Sequence, residues 1–332
     1  MLEQQPLLIA VWILLLFGLE MAYFQIADRC NIIDKPNQRS SHRTITLRGG
    51  GILFPLAWLM GIGFGSYTYW YATLGLVMLA TICFWDDVKT IGSKIRFAAQ
   101  FIALTLCFYQ LQLFSLLPWY GMVVTYALCI GVLNAVNFMD GINGITGLYG
   151  LSVLIPVWFC NDNQITSPEF LVILALVVFG FFNFRKQAKC FAGDVGSVSL
   201  GYIFIFCLIQ LIFPTDECVH TNTTTWHFEY ILFLGVYGID SMFTIFQRLW
   251  NRENILQPHR KHLYQYLANE VGWPHLRVSL LYASVQAIIN VLVMMKYIQG
   301  YWAWVVLFAL GGLYIFIKRK LHLHYFSSHE KN

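Results

Sequence analysis

Residues 79–90 read LATICFWDDVKT, an apolar run that ends in Phe84-Trp85 and meets two adjacent carboxylates, Asp86 and Asp87. Apolar runs closed off by charge recur along the whole chain. Of its 332 residues 58% are hydrophobic and 11% charged, with a mean hydropathy of +0.60, whereas soluble domains carry about a quarter charged residues. A bilayer core takes about 20 apolar residues per helix, so a chain divided this way has no length left for a sizeable soluble domain. The expected fold is all-α, one polytopic integral membrane unit over 1–332. Its eleven expected transmembrane helices lie near 7–26, 51–66, 68–85, 97–114, 118–136, 144–160, 169–184, 196–214, 228–246, 278–296 and 301–317.

Lys and Arg near helix ends stay on the cytoplasmic side. With eleven spans, every Lys and Arg of the chain except Lys296 falls in alternate loops or in the tail from 318. The N-terminus is therefore expected in the periplasm and the C-terminus in the cytoplasm. The first span follows Met-Leu-Glu-Gln-Gln-Pro without a basic n-region, so it is read as a retained helix rather than a cleaved signal. A net charge of +4 gathered on the inner loops suits an anionic membrane surface or an anionic substrate. No nucleic-acid-binding motif is present.

Polar, glycine-bearing clusters occupy the cytoplasmic loops 27–50, 86–96, 134–147, 185–199 and 247–277, while the outer loops are bland. The first holds Arg39, His42 and Arg48-Gly49-Gly50-Gly51. The second holds Asp86 and Asp87. The third reads Asn134-Ala-Val-Asn137-Phe-Met-Asp140-Gly141-Ile-Asn143-Gly144, the fourth Phe191-Ala-Gly193-Asp194-Val-Gly196-Ser197, and the fifth His259-Arg260-Lys261-His262. Such clusters on one membrane face point to one composite site there. A midplane transporter would instead place ionisable residues within its spans, where Glu20 and Asp240 are the exceptions.

The chemistry these residue types suit is phosphoryl transfer, which needs carboxylates for a hard divalent cation and positive groups for phosphate oxygens. Mg²⁺ usually takes one or two protein carboxylates, with phosphates and water completing its shell; Asp140 and Asp194, each beside a glycine at a span end, are the metal-ligand candidates. Asp194 also opens a helix, where free amides favour an anion. Helix neighbours point about 100° apart, so Asp86 and Asp87 are expected to serve different partners. Gly49–Gly51 reads either as a flexible helix entry or as a close approach to phosphate. His259 and His262 read either as surface residues or as half of a metal pair.

These motifs together resemble the polyprenyl-phosphate N-acetylhexosamine-1-phosphate transferases, glycosyltransferase family 4. That family includes the phospho-MurNAc-pentapeptide translocase and the undecaprenyl-phosphate GlcNAc-1-phosphate transferase. Asp34-Lys-Pro-Asn-Gln-Arg-Ser-Ser-His-Arg43 with Arg48-Gly-Gly-Gly51, and Gln257-Pro-His-Arg-Lys-His-Leu-Tyr-Gln265, are most similar to the O-antigen-initiating branch. The resemblance runs from about 34 to 267. It implies transfer of an N-acetylhexosamine-1-phosphate from a UDP-sugar to undecaprenyl phosphate with release of UMP. It also implies a Mg²⁺ requirement, with Mn²⁺ as the substitute, a bacterial inner-membrane location and a cytoplasmic active site.

Carried over by position, the resemblance makes Asp86, Asp87 and Asp194 catalytic, with Asp86 or Asp87 deprotonating or orienting the lipid phosphate and Asp194 binding Mg²⁺. Phe191 is implied to stack on uracil, and Asn134, Asn137 and Asp140 to line the nucleotide site. His259, Arg260 and His262 are implied to contact the diphosphate or sugar, which disfavours the metal pair; Arg39 and His42 are further substrate-binding candidates. Asn143 stands where many relatives carry aspartate. The histidine run typical of the translocase is absent, which argues against a peptidoglycan substrate. Partners are undecaprenyl phosphate, a UDP-N-acetylhexosamine and membrane lipids, with a homodimer left open. The competing readings are a transporter or flippase of lipid-linked or nucleotide sugars and a membrane phosphatase or CDP-alcohol phosphotransferase.

Overall fold

The computed structural model describes residues 5–34, 45–161, 163–214, 226–254 and 259–325, with side chains to 321. The chain is an all-helical polytopic membrane protein. Helix α1 (Gln5–Arg29) leads into a two-residue antiparallel ladder of β1 (Ile33–Asp34) with β2 (Thr46–Leu47). A 3₁₀ turn over Gly50–Ile52 opens α2 (Leu53–Phe64), followed by α3 (Trp70–Val88), α4 (Ser93–Gln110), the short α5 (Leu113–Leu116) and α6 (Trp119–Met139). Then come α7 (Ile145–Cys160), α8 (Pro168–Asn183), α9 (Gly193–Ile212) and a 3₁₀ segment Phe228–Leu234 running into α10 (Gly235–Trp250). The short turn α11 (Leu263–Gln265), α12 (His275–Met294) and α13 (Tyr301–Tyr325) complete the chain.

Among the described residues seven helical segments are long and apolar enough to cross a membrane: α1, α3, α6, α9, 228–250, α12 and α13. Gly50–Phe64, α7 and α8 are shorter apolar helices, and α4 carries Lys94 and Arg96 in its first turn. Each of the eleven expected spans thus has a helix, and α2 stops at Phe64 and α3 starts at Trp70, as the Gly65–Thr68 break implies.

Helix α9 is the axis. Almost every residue from Val195 to Ile209 is buried, the pattern of a helix apolar all round and enclosed by others. It packs on α3, α6, α7 and α2, while α8 joins α2, α7 and α1. On the outside, α1 turns Leu7, Leu14, Leu15 and Ile26 outward, as a helix bathed in lipid should.

The step from 3₁₀ to α-helix at Leu234–Gly235 leaves backbone groups without helical partners at membrane depth, where each costs several kcal/mol. Gln286 of α12 satisfies them: its Oε1 accepts from Val236 N (3.0 Å) and its Nε2 donates to Leu232 O (2.7 Å). Tyr149 of α7 donates to the same Oε1 at 2.7 Å, so one buried amide locks three elements. The C-terminal ends of α1, α3, α6, α8 and α10 and the N-terminal ends of α2, α4, α7, α9 and α12 gather at one end of the bundle, and the site is built there.

Candidate functional site

Asp86 and Asp87 occupy the last turn of α3, and the helical turn between them sends them to different neighbours. Asp86 accepts from Ile91 N (2.5 Å) and from Arg96 Nη1 of α4 (3.0 Å). Asp87, its side chain fully buried, accepts from Asp194 N and Val195 N (2.9 Å each) and from Arg48 Nε (2.6 Å). The anion that the free amides at the start of α9 favour is therefore the chain's own Asp87 carboxylate. Gly193 makes this possible: its φ is +72°, and a Cβ there would lie 2.6 Å from Asp87 Oδ2.

Asp194 is the most open of the three carboxylates, its side chain 16% exposed against 6% for Asp86 and 0% for Asp87. Arg48 Nη2 reaches it at 3.0 Å and Arg96 Nη1 at 3.5 Å. Two guanidiniums thus bridge three aspartates from α3 and α9. Burial works against the charge on Arg48, but Asp87 and Asp194 outweigh it and hold the group protonated above its ordinary range. Arg48 is fixed in turn by its backbone, whose O accepts from Tyr23 OH and whose N donates to Ile32 O.

Gly50 N donates to Phe191 O and Gly51 N to Ala192 O. Those amides are spent on the loop before α9, so of the two readings of the glycine run neither a loose hinge nor a phosphate cradle describes Gly50 and Gly51. A Cβ on Gly51 would stand 2.3 Å from the Cα of Gly196, which explains glycine there. Phe191 lies in this ladder, N–H to Leu47 O at 2.8 Å, with its side chain half-buried.

The third cluster serves mainly as a joint between helices. Asn134 Nδ2 donates to Gln100 Oε1 of α4 (3.2 Å), and Ser197 of α9 donates to Asn137 Oδ1 (2.7 Å). Asp140 ends α6 and accepts from Thr146 Oγ1. Burial raises its carboxyl to about 6 against the pull of the Thr146 hydrogen bond, and the charge of Asp87 adds to the rise. Asn143 donates through Nδ2 to Arg185 O at 2.9 Å and lies near Lys186 O, while its own carbonyl accepts from Ser279. A carboxylate could not donate there, so the amide has a structural reason in this chain.

In the basic loop, His259 and Arg260 are half-buried and His262 is 2% exposed. Burial, then the charges of His262, Arg248 and Lys261, lower His259 to about 4, so its ring is neutral at pH 7. His262 faces inward, Nδ1 3.4 Å from Asp240 Oδ1. The placement of His262 departs from the expectation that it meets substrate directly. The loop is coupled to the third cluster through Tyr264, whose hydroxyl donates to Phe138 O at 2.9 Å. Arg39 and His42 lie outside the described residues.

The structure thus brings Asp86, Asp87 and Asp194 into one cluster, with Asp140 close enough to feel Asp87 and Arg48. Arg96 and Asp240 are additions that sequence reading did not assign to the site, and Arg48, marked there only as part of its glycine-bearing cluster, gains partners that the sequence did not indicate. Their only local signal was charge at a span end, or a lone carboxylate within one. Among the described residues no three His, Cys, Asp or Glu side chains form a metal cage.

Residues 69–212, which hold the aspartate cluster and α9, match Glycosyl transferase family 4. The chain is 28% identical over 266 residues to the probable undecaprenyl-phosphate N-acetylglucosaminyl 1-phosphate transferase of Bacillus subtilis, covering 73% of this chain and 71% of the relative. It is 25% identical over 314 residues to the undecaprenyl-phosphate alpha-N-acetylglucosaminyl 1-phosphate transferase of Escherichia coli K12, covering 86% and 83%. With the phospho-N-acetylmuramoyl-pentapeptide-transferase of Thermotoga maritima it shares 31% over 172 residues, 46% of this chain and 56% of that one. Through that matched core and these alignments, the chain is similar to glycosyl transferase family 4 and to its undecaprenyl-phosphate sugar-1-phosphate transferases.

Proposed function

We propose that this protein transfers an N-acetylhexosamine-1-phosphate from a UDP-sugar to undecaprenyl phosphate, as the first membrane step of O-antigen or related surface-polysaccharide synthesis. An oxygen of the lipid phosphate attacks the sugar-bearing phosphorus, the bond to the second phosphate breaks, and UMP leaves. The observation that carries the reading is the cluster of Asp86, Asp87 and Asp194 with Arg48 and Arg96, whose members other than Arg48 fall inside the region that matches the family. Carboxylates for a cation and guanidiniums for phosphate oxygens are what phosphoryl transfer asks of a protein.

In this reading Asp194 and Asp140 hold Mg²⁺, or Mn²⁺ in its place. The donor set fits: two carboxylates, the partly exposed Asp194 and the half-buried Asp140, are the hard oxygen donors that Mg²⁺ takes one or two at a time while substrate phosphates and water complete its shell. Mg²⁺ bound there supplies charge neutralisation on the phosphate oxygens. Asp87, spent on the amides of α9, organises the site, which leaves Asp86 as the member of the pair that orients the lipid phosphate. Phe191 stacks on uracil, Asn134 and Asn137 set the helices around the nucleotide, and His259 and Arg260 meet the diphosphate or sugar.

The same reading takes the eleven helices as spans, with the N-terminus in the periplasm and the site on the cytoplasmic face of a bacterial inner membrane. The placing of every Lys and Arg but Lys296 supports that orientation, and a reporter fused after residue 332 tests it. The reaction is tested by UMP release from purified protein with undecaprenyl phosphate and a panel of UDP-N-acetylhexosamines, with and without Mg²⁺. UMP that depends on lipid and metal is expected, and the best donor names the sugar. No UMP from any donor would sink the proposal.

A further inference from the structure

Asp240 lies in the middle of α10, 1% exposed. An ionisable side chain within a span is costly unless it is paired, and it is retained where it has work to do. Its partners come from three separate elements. Tyr282 OH of α12 donates at 2.7 Å and Tyr314 OH of α13 at 3.1 Å. Leu263 N and Tyr264 N, the first amides of α11, donate at 3.0 and 3.5 Å, and His262 Nδ1 stands at 3.4 Å.

One helical turn further on, Thr244 Oγ1 lies 3.5 Å from Lys261 O, and another turn on Arg248 reaches Asn254 O and Glu253. Glu253 also pairs with Lys261. Residues 240, 244 and 248 share one face of α10, and that face holds Glu253 and Asn254 on one side of the loop and Lys261 to Tyr264 on the other. On the far side Tyr264 ties the loop to Phe138 O, and its hydroxyl would be 2.2 Å from any Cβ at Gly141. A single turn of chain therefore connects Asp240 to the Asn-x-x-Asp-Gly segment.

From this we propose that Asp240 is a positioning residue: it holds the His259–His262 loop against the 137–141 segment, so that His259 and Arg260 meet the diphosphate of the sugar donor. The inference rests on the transferase reading for its substrate and on geometry alone for the anchoring. His262 then acts as the loop's inner foot, its imidazole turned to Asp240, while His259, whose ring is 6.3 Å from that of Phe138, stands at the outer edge. The carboxylate itself touches no substrate.

The test compares the full-length protein with Asp240→Asn, which keeps the size but removes the charge facing His262 and sets an NH₂ among donors. Asp240→Glu is the conservative rescue. Two readouts are taken: trypsin cleavage after Arg260 and Lys261, followed by mass spectrometry, and the KM for the UDP-sugar and for the lipid phosphate separately. Asp240→Asn is expected to speed cleavage several-fold and raise the donor KM about tenfold or more. The lipid KM should hold, and Asp240→Glu should restore both effects in part.

If Asp240→Asn does not accumulate as folded protein, the double variant Tyr282→Phe/Tyr314→Phe strips two donors from the carboxylate and is expected to shift both readouts in the same direction. Unchanged cleavage with an unchanged donor KM overturns the proposal, as does a fall in kcat with neither readout moved, which marks a role in stability only. A wild-type protein that yields no UMP sinks the transferase reading alone, because the cleavage comparison still decides whether Asp240 holds the loop.

Discussion

The carboxylate of Asp87 closes the amino end of α9, accepting from the amides of Asp194 and Val195 at 2.9 Å each. It thereby fixes where the Asp194 side chain starts from. The two aspartates accordingly differ in kind: one is buried and accepts from two backbone amides as well as Arg48, while the other is the more exposed and is held by Arg48 and Arg96. Substituting them should separate folding from chemistry. Asp194→Asn is expected to keep its thermal midpoint and lose about 100-fold or more in UMP release, more than Asp86→Asn loses. Asp87→Asn turns an amide NH₂ toward backbone N–H groups and should cost about 1–3 kcal/mol of stability, read as a lower melting temperature in detergent. Equal activity losses in Asp194→Asn and Asp86→Asn would count against this division.

Arg48 spans Asp87 and Asp194 with two different nitrogens, Nε at 2.6 Å and Nη2 at 3.0 Å. A lysine carries the same charge on one point and cannot make both bonds at once. Arg48→Lys should therefore reduce UMP release at saturating substrates by about tenfold, and Arg48→Gln, which leaves both carboxylates without a cation from that side, should reduce it further. Full activity in the lysine variant would show that charge alone suffices there.

The spans were legible because bilayer thickness imposes a length that hydropathy reveals directly, and each apolar run became a helix. The aspartate pair was legible as a charge break after Trp85, and Asp194 as a carboxylate opening a helix. Their partners were not legible, because a contact between Asp87 and Asp194 crosses 107 residues and nothing local marks it. Asp240 stood out as an ionisable residue in a span, yet its meaning depends on Tyr282 and Tyr314, which come from helices far along the chain. The β1–β2 ladder left no trace either: two residues per strand are too few to show a period.

Gly51 and Gly196 meet backbone to backbone, and a Cβ on either would approach the other's Cα at 2.3 or 2.6 Å. Alanine at 51 must therefore push the β2 turn, and Arg48 with it, away from α9. Gly51→Ala is expected to lower the melting temperature and UMP release together. Gly63 has open space around it and sits in helix α2, so Gly63→Ala should be neutral or add about 0.5–1 kcal/mol of stability. Comparable losses in both variants would mean that the close approach at Gly51 is not what glycine is there for.

His259 offers a test of electrostatics at the loop. Burial, aided by His262, Arg248 and Lys261, lowers its folded value to about 4, while an unfolded chain restores a histidine to about 6.5. Between those values the unfolded chain binds the proton and the folded one does not. Stability is then fully present above about 6.5 and is lost as pH falls toward 4. Thermal midpoints measured at about pH 7.5 and pH 5 should therefore fall further for the wild type than for His259→Gln, which has no proton to bind. The acid limb of UMP release should be the same in both proteins, because a ring already neutral at pH 7 contributes hydrogen bonding and no charge. Parallel melting losses in the two would place His259 in an ordinary solvated setting and remove the reason to treat it as a neutral donor.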